Sequence, residues 1–320
     1  MTYIFNSSEP LNTAVLLLIF NRPDTTARVF EAIRKAKPPR LYVAADGPRE
    51  GREGEADRVA KVRAIATAVD WPCDVRTLFR EKNLGCKYAV SGAITWFFEQ
   101  ERHGIILEDD CLPAQSFFWF CEAMLNKYET DNRIWHVSGT STLVEQDVIN
   151  EESYYFSKHN HVWGWATWAS RWRHYEPALL YLPLFIKFNY IKNMGFGLYL
   201  REFWLGNFRM VANELIDTWD YQWYFISWIN NGLSIIPTKN MISNIGFGCD
   251  ATHTSDKRSN LANKPRFEID LNLIHPQIIM PNVVYEEINA RNLFNPSLIK
   301  YLKGKIKKAL LSLLKGRNND

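Results

Sequence analysis

The residues of this chain best suited to chemistry are three carboxylates bunched at the end of an apolar run. Ile105, Ile106 and Leu107 follow Gly104 and lead at once into Glu108, Asp109 and Asp110. An apolar run bounded in this way reads as a short buried strand, with Pro113 ending it soon after. Alternation along a strand sets Glu108 and Asp110 apart from Asp109. Three carboxylates at the mouth of a sheet repel one another and lose hydration, which is tolerable when a cation or a set of ligand hydroxyls faces them. Their hard oxygens suit Mn²⁺ or Mg²⁺, above all where a bound diphosphate adds further oxygens. A solvated acidic loop is the plain alternative.

Further residues of functional type fall where one element gives way to the next. Arg22 follows the run Ala14 to Phe20, and Asp46 follows Arg40 to Ala45. Asp217 and Asp220 open a helix expected to run to about Asn230, where capping is the commonest job of an aspartate. Ser243 to His253 is a glycine-bearing loop that ends in a histidine, either structural or a ligand. Eleven of the twelve tryptophans lie between Trp96 and Trp228, most densely from His161 to Trp172. Aromatic faces stack on the apolar edges of sugar rings, and an indole N–H can meet a hydroxyl. Trp168 and Trp172, four apart on an expected helix, read as core. Gly164-Trp165 reads as a ligand-facing turn.

The elements that must position these residues alternate. Strands are expected at Ala14 to Phe20, Arg40 to Ala45, Cys73 to Phe79, Gly104 to Glu108 and Gly232 to Pro237. Helices are expected from Pro23 to about Lys35, Glu55 to Val69, Tyr88 to Glu99 and around Phe117 to Tyr128. That order predicts an α/β fold with a mostly parallel central sheet flanked by helices. Ligands of such sheets bind outside the carboxyl ends of the strands, where Arg22, Asp46 and Asp109 all fall.

Composition narrows the class of function. The chain is 47% hydrophobic and 23% charged, and no run approaches the length needed to span a bilayer. The opening residues carry no basic segment followed by an apolar one, so no secretory signal is expected. Five cysteines without C-x-x-C spacing read as reduced thiols in a cytoplasmic protein, not as a zinc site. From Lys300 onward there are seven basic residues and one acidic, so the net charge of +3 sits in the tail and the body is slightly acidic. A body of that sign excludes nucleic acid as the expected partner.

In their order, these motifs resemble the GT-A-fold, nucleotide-sugar-dependent glycosyltransferases, and within them the inverting N-acetylglucosaminyltransferase I type. The resemblance covers roughly residues 12 to 255 and implies a Rossmann-like sheet. It implies that Glu108-Asp109-Asp110 is an E-D-D form of the D-x-D motif, with Asp110 on the metal and Glu108 and Asp109 on sugar and ribose hydroxyls. Arg22 matches an arginine on the donor phosphate, and Asp46 an aspartate that reads uracil. Gly164-Trp165 matches a turn over the donor and acceptor sugars, and Trp219-Asp220 a W-D motif in which Asp220 is the catalytic base. His253 matches a late histidine that assists the metal or the diphosphate. Aromatic neighbours of Asp220 would partly desolvate it and favour proton uptake.

The eukaryotic members have a membrane anchor and stem that are not visible here, and the chain resembles instead soluble bacterial proteins of glycan assembly. The expected donor is a nucleotide diphosphate sugar, UDP-linked by this resemblance, and the acceptor a saccharide or lipid-linked saccharide. A retaining transferase and a non-catalytic glycan-binding protein stay open. A sugar nucleotidyltransferase would need glycines after the first strand, where Phe20 to Thr26 has none. Residues 1–255 are expected to form the catalytic domain, and residues 256–320 a linker and helical C-terminal extension. In that extension Leu298, Leu302, Ile306, Ala309, Leu310 and Leu313 share one helical stripe with lysines beside it. Such a helix would lie on an anionic membrane at the cytoplasmic leaflet or dock on the body.

Overall fold

The computed structural model describes residue 5, residues 9–247 and residues 262–294. His253 and the basic stripe from Leu298 to Lys315 lie outside these residues.

The first part of the chain alternates as expected: β1 (Val15–Ile19), α1 (Pro23–Ala36), β2 (Arg40–Ala45), α2 (Glu55–Ala66), β3 (Asp74–Phe79), α3 (Gly85–Phe98) and β4 (His103–Glu108). Then come β5 (Cys111–Pro113), α4 (Ser116–Lys127), β6 (Ile134–Ser138), β7 (Tyr154–Ser157), β8 (Trp165–Trp168), α5 (Ala169–Trp172) and α6 (Leu182–Lys187). The last described elements are α7 (Leu198–Ala212), α8 (Asp220–Ile229), β9 (Leu233–Pro237), β10 (Ile242–Asn244) and α9 (Val283–Phe294).

Eight strands form the central sheet in the order β3-β2-β1-β4-β8-β6-β9-β7. The β3-β2-β1-β4 half is parallel throughout, and β6 pairs with β9 in parallel. β8 runs antiparallel between β4 and β6, and β7 antiparallel on β9 at the edge. The fold is thus the expected α/β architecture, a mostly parallel sheet flanked by helices.

β1 shows why the sheet needs both layers. All five of its residues are buried. Val15, Leu17 and Ile19 join the core that holds Val29 and Ile33 of α1 and Phe117, Phe118 and Cys121 of α4. Leu16 and Leu18 join the opposite core, with Ile94 and Phe97 of α3 and Trp219, Trp223 and Phe225 of the α8 region. Period-two alternation makes an unbroken apolar run stable only where both faces are covered.

Trp168 and Trp172 are both buried, but they are not on one helix: Trp168 ends β8 and Trp172 ends α5. Residues 262–294, expected to lead away from the catalytic domain, pack on it instead. Ile269 is part of the core beneath α4, and the Glu268 carboxylate accepts the first free N–H groups of α4 from Gln115 (2.9 Å) and Ser116 (2.7 Å). On α9, Tyr285 lies against Tyr155 at 4.5 Å between ring centroids, and Asn289 donates to the Tyr155 hydroxyl at 2.8 Å.

Glu286, on the same helix, accepts hydrogen bonds from the Ser157 hydroxyl and the Lys158 N–H. Burial pushes its carboxyl up to about 7, and burial pushes the nearby His159 down to about 3. Both groups are therefore neutral between those values, and their 3.9 Å approach is not an ion pair there. An acid whose folded value is raised holds its proton better folded than unfolded. Its stabilising contribution is complete below the ordinary carboxylate range and is lost as pH rises through about 7. Melting temperature should therefore fall between pH 5 and pH 8 in the wild type and fall less in Glu286→Gln. Parallel profiles for the two proteins would show that Glu286 does not contribute.

Candidate active site

β4 delivers the acidic triplet to the carboxyl edge of the parallel half-sheet, level with the end of β1 through the pairing of Leu18 with Glu108. Glu108 shares its face with Ile106, on the α3 and α8 side. The chain then turns, so the expected alternation stops at Glu108. Asp109 and Asp110 both reach the same cation, the Arg22 guanidinium, at 2.6 Å and 2.9 Å. Asp109 also accepts the Phe20 N–H at 3.2 Å. Both aspartates are buried.

Arg22 is placed by its position just before Pro23, the first residue of α1. Its carbonyl accepts both the N–H (3.0 Å) and the hydroxyl (2.7 Å) of Thr26.

A second segment closes over this pair. β10 pairs antiparallel with β5, with Asn244 opposite Cys111, and the Ile245 N–H donates to the Asp110 carbonyl at 2.8 Å. Gly246 then crosses so near that a Cβ there would stand 2.1 Å from Asp110 Oδ2 and 2.5 Å from Arg22 Nη1. Only glycine fits. The sequence signalled a glycine-bearing loop here, but not the strand that pins it.

Asp46 is held in place by backbone donors. Its carboxylate accepts from the N–H groups of Gly47 (2.9 Å), Leu84 (3.0 Å) and Gly85 (3.2 Å). Burial raises its carboxyl above the usual range, against those hydrogen bonds and the charge of Arg80. Asp217 takes the next two N–H groups of α3, from Cys86 (2.8 Å) and Lys87 (2.9 Å). Asp217 is thus a cap, as its position suggested, but it caps α3 and not the helix that follows it.

Asp220 begins α8, and the Thr218 hydroxyl donates to its Oδ1. Its charge is felt by Glu108, whose carboxyl is raised first by burial and then by Asp110, with Asp109 and Asp220 adding and Arg22 opposing. The Cys86 thiol is raised by burial and by the charges of Glu108, Asp220, Asp217 and Asp46. It is therefore held protonated and is no nucleophile. Glu108 and Asp220 therefore stand close enough to feel each other's charge, at the edge that also holds Arg22, Asp109 and Asp110.

Gly164-Trp165 is not the ligand-facing turn expected. Gly164 is buried at φ +62, where an added Cβ would meet Ile242 at 2.5 Å. Trp165 is fully buried between the His136 ring (5.0 Å) and the Trp219 ring (5.6 Å). The half-exposed aromatic at this rim is Trp163, whose ring meets Phe247 edge-on at 5.8 Å, beside Gly246. Strand alternation would put Trp163 and Trp165 on one face, but the left-handed Gly164 between them breaks that periodicity, and β8 begins only at Trp165.

For a divalent cation, Asp109 and Asp110 offer hard oxygens, and among the described residues Asp110 Oδ1 accepts only from the Cys111 thiol, at 3.4 Å. No three His, Cys, Asp or Glu side chains converge as a complete metal cage among the described residues. The donor set fits a cation that draws its remaining ligands from a bound diphosphate.

No protein-family model matches the chain, and no curated protein matches it. Among solved structures, S. aureus TarS 1-349 is similar over 50% of this chain and 47% of that one, at 11% identity and TM-score 0.32. The galactosyltransferase LgtC, in complex with donor and acceptor sugar analogs, is similar over 54% of this chain and 65% of that one, at 12% identity and TM-score 0.31. A CMP:2-keto-3-deoxy-manno-octonic acid synthetase complexed with CTP is similar over 57% of this chain and 87% of that one, at 14% identity and TM-score 0.32. At these scores the likeness assigns neither family nor activity. The chain spans about half of TarS and just under two thirds of LgtC.

The double cap on α3 is testable by stability alone. Asp217→Ala leaves the Cys86 and Lys87 N–H groups without their acceptor and should lower unfolding free energy by about 1 kcal/mol, the usual worth of a cap. In urea titrations the midpoint should fall with the slope unchanged. An unshifted midpoint would mean that the cap contributes nothing.

Proposed function

We propose that the chain is a metal-dependent glycosyltransferase of GT-A type, moving a sugar from a nucleotide diphosphate sugar to a saccharide or lipid-linked saccharide in cell-surface glycan assembly. The observation that carries this reading is the arrangement at the carboxyl edge of the sheet. A guanidinium-bridged acidic cluster stands within electrostatic reach of a separate carboxylate, Asp220, on another element.

In this reading Arg22 pairs with the donor phosphates, releasing Asp110 to hold Mn²⁺ or Mg²⁺ together with the diphosphate. The bound cation would neutralise charge on the departing nucleoside diphosphate. Glu108 and Asp109 bind hydroxyls of the donor. Asp220 takes the proton of the acceptor hydroxyl as its oxygen attacks the anomeric carbon, opposite the leaving diphosphate, which inverts the configuration. A base kept apart from the metal-binding oxygens keeps its basicity, because the cation does not depress it. The amphipathic stripe from Leu298 to Leu313 would hold the enzyme at a lipid-linked acceptor.

A panel of nucleotide sugars, with and without Mn²⁺, tests the reading by thermal shift and by release of nucleoside diphosphate. Stabilisation by a UDP-sugar that requires the cation is expected, and no shift with any nucleotide sugar would sink the proposal. Asp110→Ala should stay folded and lose the cation-dependent binding. Asp220→Asn should bind donor and cation normally while transfer falls on the order of 10² to 10⁴-fold, the usual worth of a positioned base. Release of pyrophosphate in place of nucleoside diphosphate would instead indicate nucleotidyl transfer.

A further inference from the structure

A second feature lies away from the carboxylate cleft. α8 carries Asp220 at one end, and at its other end, roughly 14 Å along the helix at 1.5 Å per residue, its last residues border a cavity of ≈ 750 Å³. Over this cavity runs the segment from Pro177 to Arg201, which contains α6, a 3-10 turn at Tyr190–Met194 and the start of α7. The segment is firmly seated: Leu182, Phe185 and Ile191 are buried, and Phe185 packs on Phe225 of α8 at 5.3 Å. Lys158 ties the turn down by donating to the carbonyls of Asn193 (3.3 Å) and Met194 (3.0 Å).

What the segment turns outward is not polar. Leu180 is 69% exposed, Tyr181 58%, Leu184 49%, Phe188 57%, Tyr190 48% and Leu198 67%. Large apolar side chains concentrated in this way mark an interaction surface. The charges within it are all of one sign: Lys187, Lys192 and Arg201 are the only charged residues from 177 to 201. The Lys187 ammonium stands over the Phe188 ring at 5.6 Å. Glu176, at the segment's edge, is turned to the backbone, accepting the N–H groups of Ala178 (2.6 Å) and Leu180 (2.8 Å). Among the described residues no Asp or Glu lines the cavity, and its basic walls are Lys158 and His174.

Charge complementarity selects among occupants. The chain's own tail from Lys300 has seven basic residues against one acidic, so it would bring like charge to this face. A second copy presenting the same face would do the same. Tyrosine and phenylalanine with lysines beside them, over an apolar hollow, match the boundary between anionic headgroups and acyl chains.

We propose that the surface formed by residues 177–201 binds an anionic lipid surface, with Tyr181, Leu184, Phe188 and Tyr190 entering the acyl boundary and Lys187 and Lys192 meeting the headgroups. This proposal does not depend on the catalytic reading.

The test is flotation of the full chain with vesicles of phosphatidylcholine alone or mixed with phosphatidylglycerol, at low and high salt. Binding is expected only with phosphatidylglycerol, and salt should weaken it. In the full chain, Leu184→Glu with Phe188→Glu should reduce binding by at least about tenfold, as should Lys187→Glu with Lys192→Glu. All four side chains are exposed, so both variants should keep the wild-type melting temperature and nucleotide-sugar thermal shift. Absence of binding by the wild type, or equal binding by both double variants, overturns the proposal. A wild-type dimer in light scattering that the variants dissociate overturns it too, assigning the face to self-association. The assay contains no donor, so its outcome is independent of whether the chain transfers sugar.

Discussion

The structure at the mouth of the sheet depends on keeping two buried aspartates from leaving a bare negative charge at the end of β4. The Arg22 guanidinium meets both, and the surroundings are arranged to hold it there. Pro23 starts α1 directly after it, Thr26 fixes its carbonyl, and the Gly246 backbone closes above it where no side chain would fit. Removing one partner from a buried ion pair costs more than the pair itself contributes, because the remaining charge is left without hydration. Three carboxylates against one guanidinium still leave net negative charge in this corner. A ligand that binds here must therefore bring positive charge or hydroxyl donors, which limits the chemistry before any substrate is named.

The amino end of α3 narrows it further. A helix amino terminus with a glycine beside it is a common anion site, since its first N–H groups point outward without partners. Here Leu84, Gly85, Cys86 and Lys87 all donate to side chains of this chain, the first two to Asp46 and the others to Asp217. A phosphate would have to displace two carboxylates to bind there. The terminus instead acts as a clamp joining the end of β2 to the loop that precedes α8. Because Asp220 follows Asp217 by three residues, the clamp also fixes where that carboxylate stands.

Much of the parallel half-sheet was legible in the sequence. The run from Val15 to Ile19 and the alternation of apolar runs with helical spacing required strands covered on both faces, and the placement of Arg22, Asp46 and Asp109 at strand ends followed. The other half was not legible, because β6, β7, β8 and β10 are three to five residues long, too short to show a period. Residue types were read better than their orientations. Asp217 was recognisable as a cap, but the helix it caps lies some 130 positions earlier in the chain, a distance that only the fold closes. Trp165 stood out as a tryptophan after a glycine, yet that glycine's left-handed turn breaks the alternation, leaving Trp165 fully buried and Trp163 partly exposed.

Trp165 also shows how this edge of the sheet is kept in shape. Most buried indoles on this side of the sheet find an acceptor, as Trp172 does on Thr95 (3.0 Å) and Trp223 on His136 (3.2 Å). Among the described residues the Trp165 N–H finds no partner, an arrangement that costs about 1–3 kcal/mol where nothing else offsets it. Its ring is nevertheless held between His136 and Trp219, with planes only 17° and 19° from parallel. Packing, not hydrogen bonding, sets its position. Trp219 is held in turn from its other side, its carbonyl accepting from the Tyr175 hydroxyl at 3.0 Å. The next residue is Asp220. A stack of rigid rings is a better support for that carboxylate than a polar network would be, because it has few rotamers to lose and adds no charge to an edge already crowded with carboxylates.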